Sequence, residues 1–207
     1  MKRSNTLSIL ASSLMALGLA TSSVADNHVS ELRWEREGAD FSGFEKIYIR
    51  DLNLDDVKVL KPVWEQDDPD PWSLEGEVGE GIQAMFRNIM IDELSRNDGF
   101  TIVDEGGPGV LQIEVEFLSI TPYVKPGTQS NPATGFEIST LGSGDVHVSA
   151  ELRDGATGSV LTLIEGERQI GTEYKELSPE NHEANLEKTF RNWGQRVREY
   201  ILIKQAL

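Results

Sequence analysis

The sequence predicts an α+β fold: a two-layer sandwich in which two helices lie on one face of a five-stranded, antiparallel or mixed sheet, in the order β-α-β-β-β-β-α. Three observations carry this. Two segments repeat apolar residues at three- and four-residue steps, five short segments read as extended, and tight-turn residues sit between the later strands. Helices with one apolar stripe and a sheet with one wet face satisfy each other only when the helices share a side of the sheet.

Residues 45–52 give the first strand, with Ile47 and Ile49 on one side of an extended chain and Tyr48, Arg50 and Leu52 on the other. Residues 53–78 hold Pro62, Pro69, Pro71, Gly76 and an acidic run, which exclude long regular structure and predict an excursion. From Gly79 to Asn97 the residues Ile82, Met85, Phe86, Ile89, Met90 and Leu94 fall on one helical stripe, and Asp98-Gly99 predicts its stop, with glycine in the left-handed region. Phe100 to Asp104 is a short strand. After the turn at Gly106 to Gly109, Leu111, Ile113, Val115 and Phe117 alternate with Gln112, Glu114 and Glu116, the clearest two-residue period in the chain. Tyr123 to Asp145 is rich in Gly, Pro, Ser, Thr and Asn and predicts a long connection, a candidate functional loop. Val146 to Leu152 and Ser159 to Ile170 flank the turn residues Asp154 to Gly158 and predict a hairpin. Ser178-Pro179-Glu180 then opens a helix whose stripe is Leu186, Phe190, Trp193, Val197 and Tyr200 or Ile201.

The first 25 residues read differently. Lys2 and Arg3, an apolar stretch from Leu7 to Leu19 and the small residues Ser23-Val24-Ala25 are what signal peptidase recognises, and the stretch is too short to span a bilayer. The expected organisation is a signal peptide over 1–25, a loose arm over 26–40 pinned by Trp34, and a single α+β domain over 41–204. Mature protein beginning at Asp26 is expected in the periplasm of a Gram-negative cell or beyond it. A chain of 207 residues less such a leader buries roughly 70% of its unfolded surface in one core. With no cysteine, that core holds without disulfides, and the lipid-bearing first cysteine of a bacterial lipoprotein is missing, so no lipid anchor is expected. The formal charge of −16 becomes more negative once Lys2 and Arg3 are removed. Such a surface repels nucleic acid and anionic lipid.

Candidate chemistry is sparse. Gly79-Glu80-Gly81 to Ala84 has dinucleotide-loop spacing, but no strand precedes it and Glu80 would face the phosphate. His182-Glu183 begins a zinc-protease motif whose second histidine position is Leu186. Asp51, Asn53 and Asp55 have calcium-loop spacing, but Asp56 and Pro62 stand at the glycine and closing-glutamate positions; Glu65, Asp67, Asp68 and Asp70 leave only an irregular calcium site open. Ser143 lies between Gly142 and Gly144, the wrong spacing for a nucleophile elbow. Glu114 and Glu116 share a strand face about 7 Å apart, a glycosidase-like separation without a sugar cleft. His28 and His147 have no spacing partner. The sequence therefore assigns no catalytic, cofactor-binding or metal-ligating residue. The binding candidates are Trp64 and Trp72, large aromatics in a polar excursion, which either anchor a partner or fold back on the sheet edge.

At Phe41 to Arg50, Gly109 to Ile120, Val148 to Leu161 and Phe190 to Trp193 the chain resembles the proteobacterial domain-of-unknown-function family 3313. The resemblance spans about residues 40–201, rests on structural motifs and transfers no catalytic residue. It implies an exported protein with a periplasmic or envelope role; many members look like lipoproteins, which this cysteine-free chain does not. The strand order is also similar to that of auxiliary lipoproteins of envelope transport systems. The resulting expectation is a non-catalytic binding or accessory protein of the cell envelope whose partner is an envelope protein or small ligand. The alternatives are a small loop-built hydrolase or ligand carrier and, further off, a calcium-dependent binding module.

Overall fold

In the computed structural model, residues 31–129 and 138–207 are described; the expected signal peptide over 1–25, the first residues of the expected arm and the middle of the long connection lie outside them. The elements are β1 (Glu31–Glu35), β2 (Lys46–Ile49), β3 (Lys58–Val59), a 3-10 turn at Val63–Glu65, α1 (Glu77–Ser95), β4 (Thr101–Val103), β5 (Val110–Pro122), β6 (Ser139–Leu141), β7 (Gly144–Asp154), β8 (Val160–Gln169), β9 (Tyr174–Glu176) and α2 (Pro179–Gln205).

The fold is α+β with two helices and a mixed sheet, but the sheet has seven strands where five were expected, and β6 and β9 make a second, two-stranded sheet. The main sheet runs β1-β8-β7-β5-β2-β4, with β3 alongside β5. β5, β7, β8 and β1 pair antiparallel, whereas β2 and β3 run parallel to β5 and β4 runs parallel to β2. All five expected strands are present. The added ones are short: β1, β3 and β6 lie in segments read as irregular, and β9 in the unassigned stretch between the last expected strand and α2.

β1 corrects the expectation of a loose arm over 26–40. Residues 31–35 pair with β8, and Glu35 accepts hydrogen bonds from Tyr200 Oη at 2.6 Å and Lys204 Nζ at 2.7 Å, tying the start of the fold to the last turns of α2. These contacts hold the carboxyl of Glu35 below its ordinary range, with Lys204 the larger cause. Trp34 itself is 46% exposed, so ladder and ion pair, not the tryptophan, fix the arm.

On β5 the alternation places Leu111, Ile113, Val115 and Phe117 inside, where they meet Ile47, Ile49, Val148 and Leu152 from the neighbouring strands. Phe86, Ile89, Met90 and Leu94 of α1 and Leu186, Phe190 and Ile201 of α2 close this core. Gln112, Glu114, Glu116, Ser149, Glu151 and Arg153 point to the opposite face, which no described helix covers. α2 starts at the predicted cap, the Ser178 side chain accepting from the Asn181 amide with Pro179 next in line. At the end of α1, Asn97 and Asp98, not Gly99, take the left-handed conformation, each at φ 55°. Gly99 is there for space: a Cβ would lie 2.3 Å from the Leu94 carbonyl oxygen.

The helices touch at Gly194, where a Cβ would stand 2.8 Å from Glu93 Cβ and 3.2 Å from its Cγ. Gly194→Ala is therefore expected to destabilise the fold by about 1–3 kcal/mol through overpacking, despite alanine's better helix propensity. Urea unfolding measures this; a stabilised variant would show that the helices are free to separate.

Candidate binding surfaces

The excursion at 53–78 separates the two candidate tryptophans. Trp72 is 7% exposed and its indole Nε1 donates to Asp68 Oδ2 at 2.8 Å. Asp68 also faces Lys125 Nζ at 3.2 Å, which reaches Asp70 at 2.9 Å, while Lys61 Nζ donates to the Asp68 carbonyl. The Trp72 bond, then the Asp70 amide and the Lys125 ammonium, pull the Asp68 carboxyl down to about 2. Trp72 is thus the inward anchor of the excursion, the fold-back alternative. Trp64 lies on the outside, 40% exposed, its ring edge-on to Tyr123 with centroids 5.1 Å apart. Tyr123 Oη donates to Asp145 Oδ2 at 2.6 Å, fastening both ends of the long connection to this platform. Leu60 at 50% and Val63 at 85% exposure precede Trp64 closely in the chain, so this braced excursion, the tip below, displays three apolar side chains.

The long connection itself is only partly loop. Residues 130–137 lie outside those described; β6 pairs with β9, and Gly144 and Asp145 already belong to β7.

Several of the remaining candidates have structural partners. Glu114 receives Arg50 Nη1 at 3.0 Å and Gln112 Nε2 at 2.6 Å, and Arg153 Nε lies 2.9 Å from it as an ion pair without hydrogen-bond alignment; Arg153 also meets Glu151. Glu116 accepts from Asn53 Nδ2 at 3.4 Å. His147, read as a solvated strand histidine, sits 3.2 Å from Glu165. Asn53 Oδ1 accepts the Asp55 amide, and Asp68 and Asp70 are engaged by Lys125, so these oxygens serve turns and ion pairs. Among the described residues no three His, Cys, Asp or Glu side chains are grouped as metal ligands. Gly79 is explained by packing, since a Cβ there would lie 2.1 Å from the Leu74 carbonyl oxygen.

One pair escaped sequence reasoning. His182 Nδ1 lies 3.0 Å from the Ser143 carbonyl and 3.1 Å from its Oγ. A carbonyl only accepts, so Nδ1 carries the proton and cannot serve as base for that hydroxyl. The pair fastens the first turns of α2 to the start of β7. Burial holds the His182 imidazole below its ordinary value of 6.5, against the opposing pull of the Ser143 carbonyl. The unfolded chain thus takes up this proton at a higher pH than the folded one. Stability should fall as pH drops below about 6.5 and level off once the folded imidazole protonates. In His182→Gln, whose amide can still donate to Ser143, that part of the fall, which sets in as pH drops through about 6.5, should vanish. Equal pH profiles of melting temperature in the two proteins would contradict the assignment.

Comparison with known proteins gives one family. A family model described as "Protein of unknown function (DUF3313)" matches residues 10–197. No curated protein matches the chain. Among solved structures it is similar to the PelC dodecamer of Paraburkholderia phytofirmans, at 11% identity and TM-score 0.36 over 78% of this chain and 95% of that one. It is also similar to a Xanthomonas campestris protein, at 9% identity and TM-score 0.37 over 86% and 94%, and to a minor lipoprotein of Acinetobacter baumannii, at 10% identity and TM-score 0.32 over 76% and 92%. At TM-scores this low the likenesses bear on neither mechanism nor partners.

Proposed function

The chain belongs to the DUF3313 family, and from that premise we propose that it is an exported, non-catalytic accessory protein of the cell envelope, a single α+β domain over 41–204 that grips a partner with the tip of its excursion. The observation that carries the reading is the division of labour between the two tryptophans. Trp72 and Asp68 lock the segment from beneath, and Leu60, Val63 and Trp64 stay exposed above it. Exposed apolar side chains held at fixed positions lose little conformational entropy on binding, which is what makes an interface anchor effective. The leader at 1–25 supports export, and the lack of cysteine supports action without a lipid anchor.

Crosslinking and pull-down from envelope extracts of the native organism test this, with wild type compared against Val63→Asp and Trp64→Ala. Both substitutions are expected to reduce partner recovery at least tenfold while changing stability by no more than about 1 kcal/mol, the scale of one edge-on aromatic contact. Trp72→Ala is expected to cost about 3 kcal/mol of folding stability instead, as removal of a buried indole does. If wild type recovers no partner, or the tip variants recover as much as wild type, the reading fails.

A further inference from the structure

Two Asp-Gly pairs occur in the chain, Asp98-Gly99 and Asp154-Gly155. Such a pair can rearrange without an enzyme, because a glycine amide, unhindered by a side chain, reaches the carboxyl carbon of the preceding aspartate through a five-membered ring. The fold treats the two pairs in opposite ways.

At the turn between β7 and β8 both reacting groups are tied down. Asp154 Oδ1 accepts the amides of Ala156 at 2.8 Å and Thr157 at 2.9 Å, and the Gly155 amide donates to the Val110 carbonyl at 2.8 Å. Beyond α1, by contrast, the Asp98 carboxylate takes no hydrogen bond or ion pair from any described residue, and Ser95 to Gly99 are exposed. The turn is also strained, since Asn97 and Asp98 both stand at φ 55°, a conformation that costs any residue with a Cβ. Packing on its far side holds it there. Phe100 is buried with its amide on the Leu94 carbonyl at 2.9 Å, so the chain must double back between Ser95 and Phe100. Glycine at 99 is required because a Cβ would stand 2.3 Å from that same carbonyl oxygen, and this requirement keeps the reactive neighbour beside Asp98.

We propose that Asp98-Gly99 is a site of spontaneous covalent modification, isomerising to isoaspartate in the folded protein while Asp154-Gly155 stays intact. The Gly99 nitrogen gives up its proton and bonds to Asp98 Cγ, and one carboxyl oxygen leaves as water with a second proton from solvent, closing a succinimide. Water then opens the ring at either carbonyl. Addition at Cγ restores aspartate. Addition at the former main-chain carbonyl leaves the chain running through Cβ and Cγ, with the old carbonyl now a free carboxylate, and no atom is gained or lost overall. The altered link gives the turn one more backbone atom for the same span, which relieves the left-handed pair. This modification goes beyond the tip reading and does not rest on it.

The test incubates the mature chain for several weeks at neutral pH and physiological temperature. Isoaspartate is read by methyl transfer from S-adenosylmethionine with an isoaspartyl methyltransferase and assigned to peptides by mass spectrometry after digestion. The expected result is isoaspartate in the peptide holding Asp98 at a level at least tenfold above that in the peptide holding Asp154. In guanidinium chloride, where the fold no longer distinguishes the pairs, the two should accumulate within threefold of each other. Asp98→Gly, which suits a positive φ and whose melting temperature verifies that it folds, should abolish the signal of the first peptide. Equal accumulation at the two positions in the folded chain, isoaspartate at Asp98 only after unfolding, or the same tenfold bias in the unfolded chain would each overturn the proposal.

Discussion

Phe190→Ala is expected to lower folding stability by about 3–5 kcal/mol, the largest single effect in the molecule. Phe190 is fully buried on α2, edge-on to Phe86 of α1 at 5.4 Å and in contact with Phe117 of β5 at 6.3 Å and Trp193 at 5.5 Å. One ring thus joins both helices to the sheet. Truncation leaves a cavity whose walls belong to three elements, and these cannot all close on it together. Urea unfolding of wild type and variant measures the loss; a cost below about 1 kcal/mol would mean that the helices do not pack on β5 as described.

Arg191→Ala is the second large effect, at about 3 kcal/mol. Glu93 is 1% exposed between the helices, and its carboxylate is held by Arg191 Nη1 at 2.8 Å and Arg96 Nη2 at 3.0 Å. Removing Arg191 leaves a buried negative charge with one partner, and the cost sits at the lower end of broken buried pairs because Arg96 remains. Glu93→Leu combined with Arg191→Leu should cost less than the sum of the two single changes, since the loss of the Arg191 partner matters only while the buried Glu93 carboxylate is present. Additive losses would show that the pair is solvated in the native state.

The elements that were legible in the sequence are those whose signal is local. The alternation Leu111 to Phe117 and the stripe through Phe86, Ile89 and Met90 arise from the backbone periods themselves, so five strands and both helices were readable. β1, β3, β6 and β9 were not, because they are two to five residues long and are strands only by virtue of distant partners: Trp34 lies opposite Leu163, and Leu141 opposite Tyr174. The same holds for polar groups. Nothing near Glu93 announces that it pairs with a residue 98 positions on, nor near Ser143 that it meets His182. Of the site, the excursion and its two tryptophans were readable as composition. Their opposite roles depend on Asp68 and Lys125, which lie 57 residues apart and carry no motif.

Everything proposed for the tip presupposes that the chain reaches the envelope. The most direct measurement is the amino terminus of the protein recovered from osmotic-shock fluid of the native organism, compared with that in the cytosol. The account expects processed chain starting at Asp26 in the shock fluid; protein still beginning at Met1 and confined to the cytosol would contradict it.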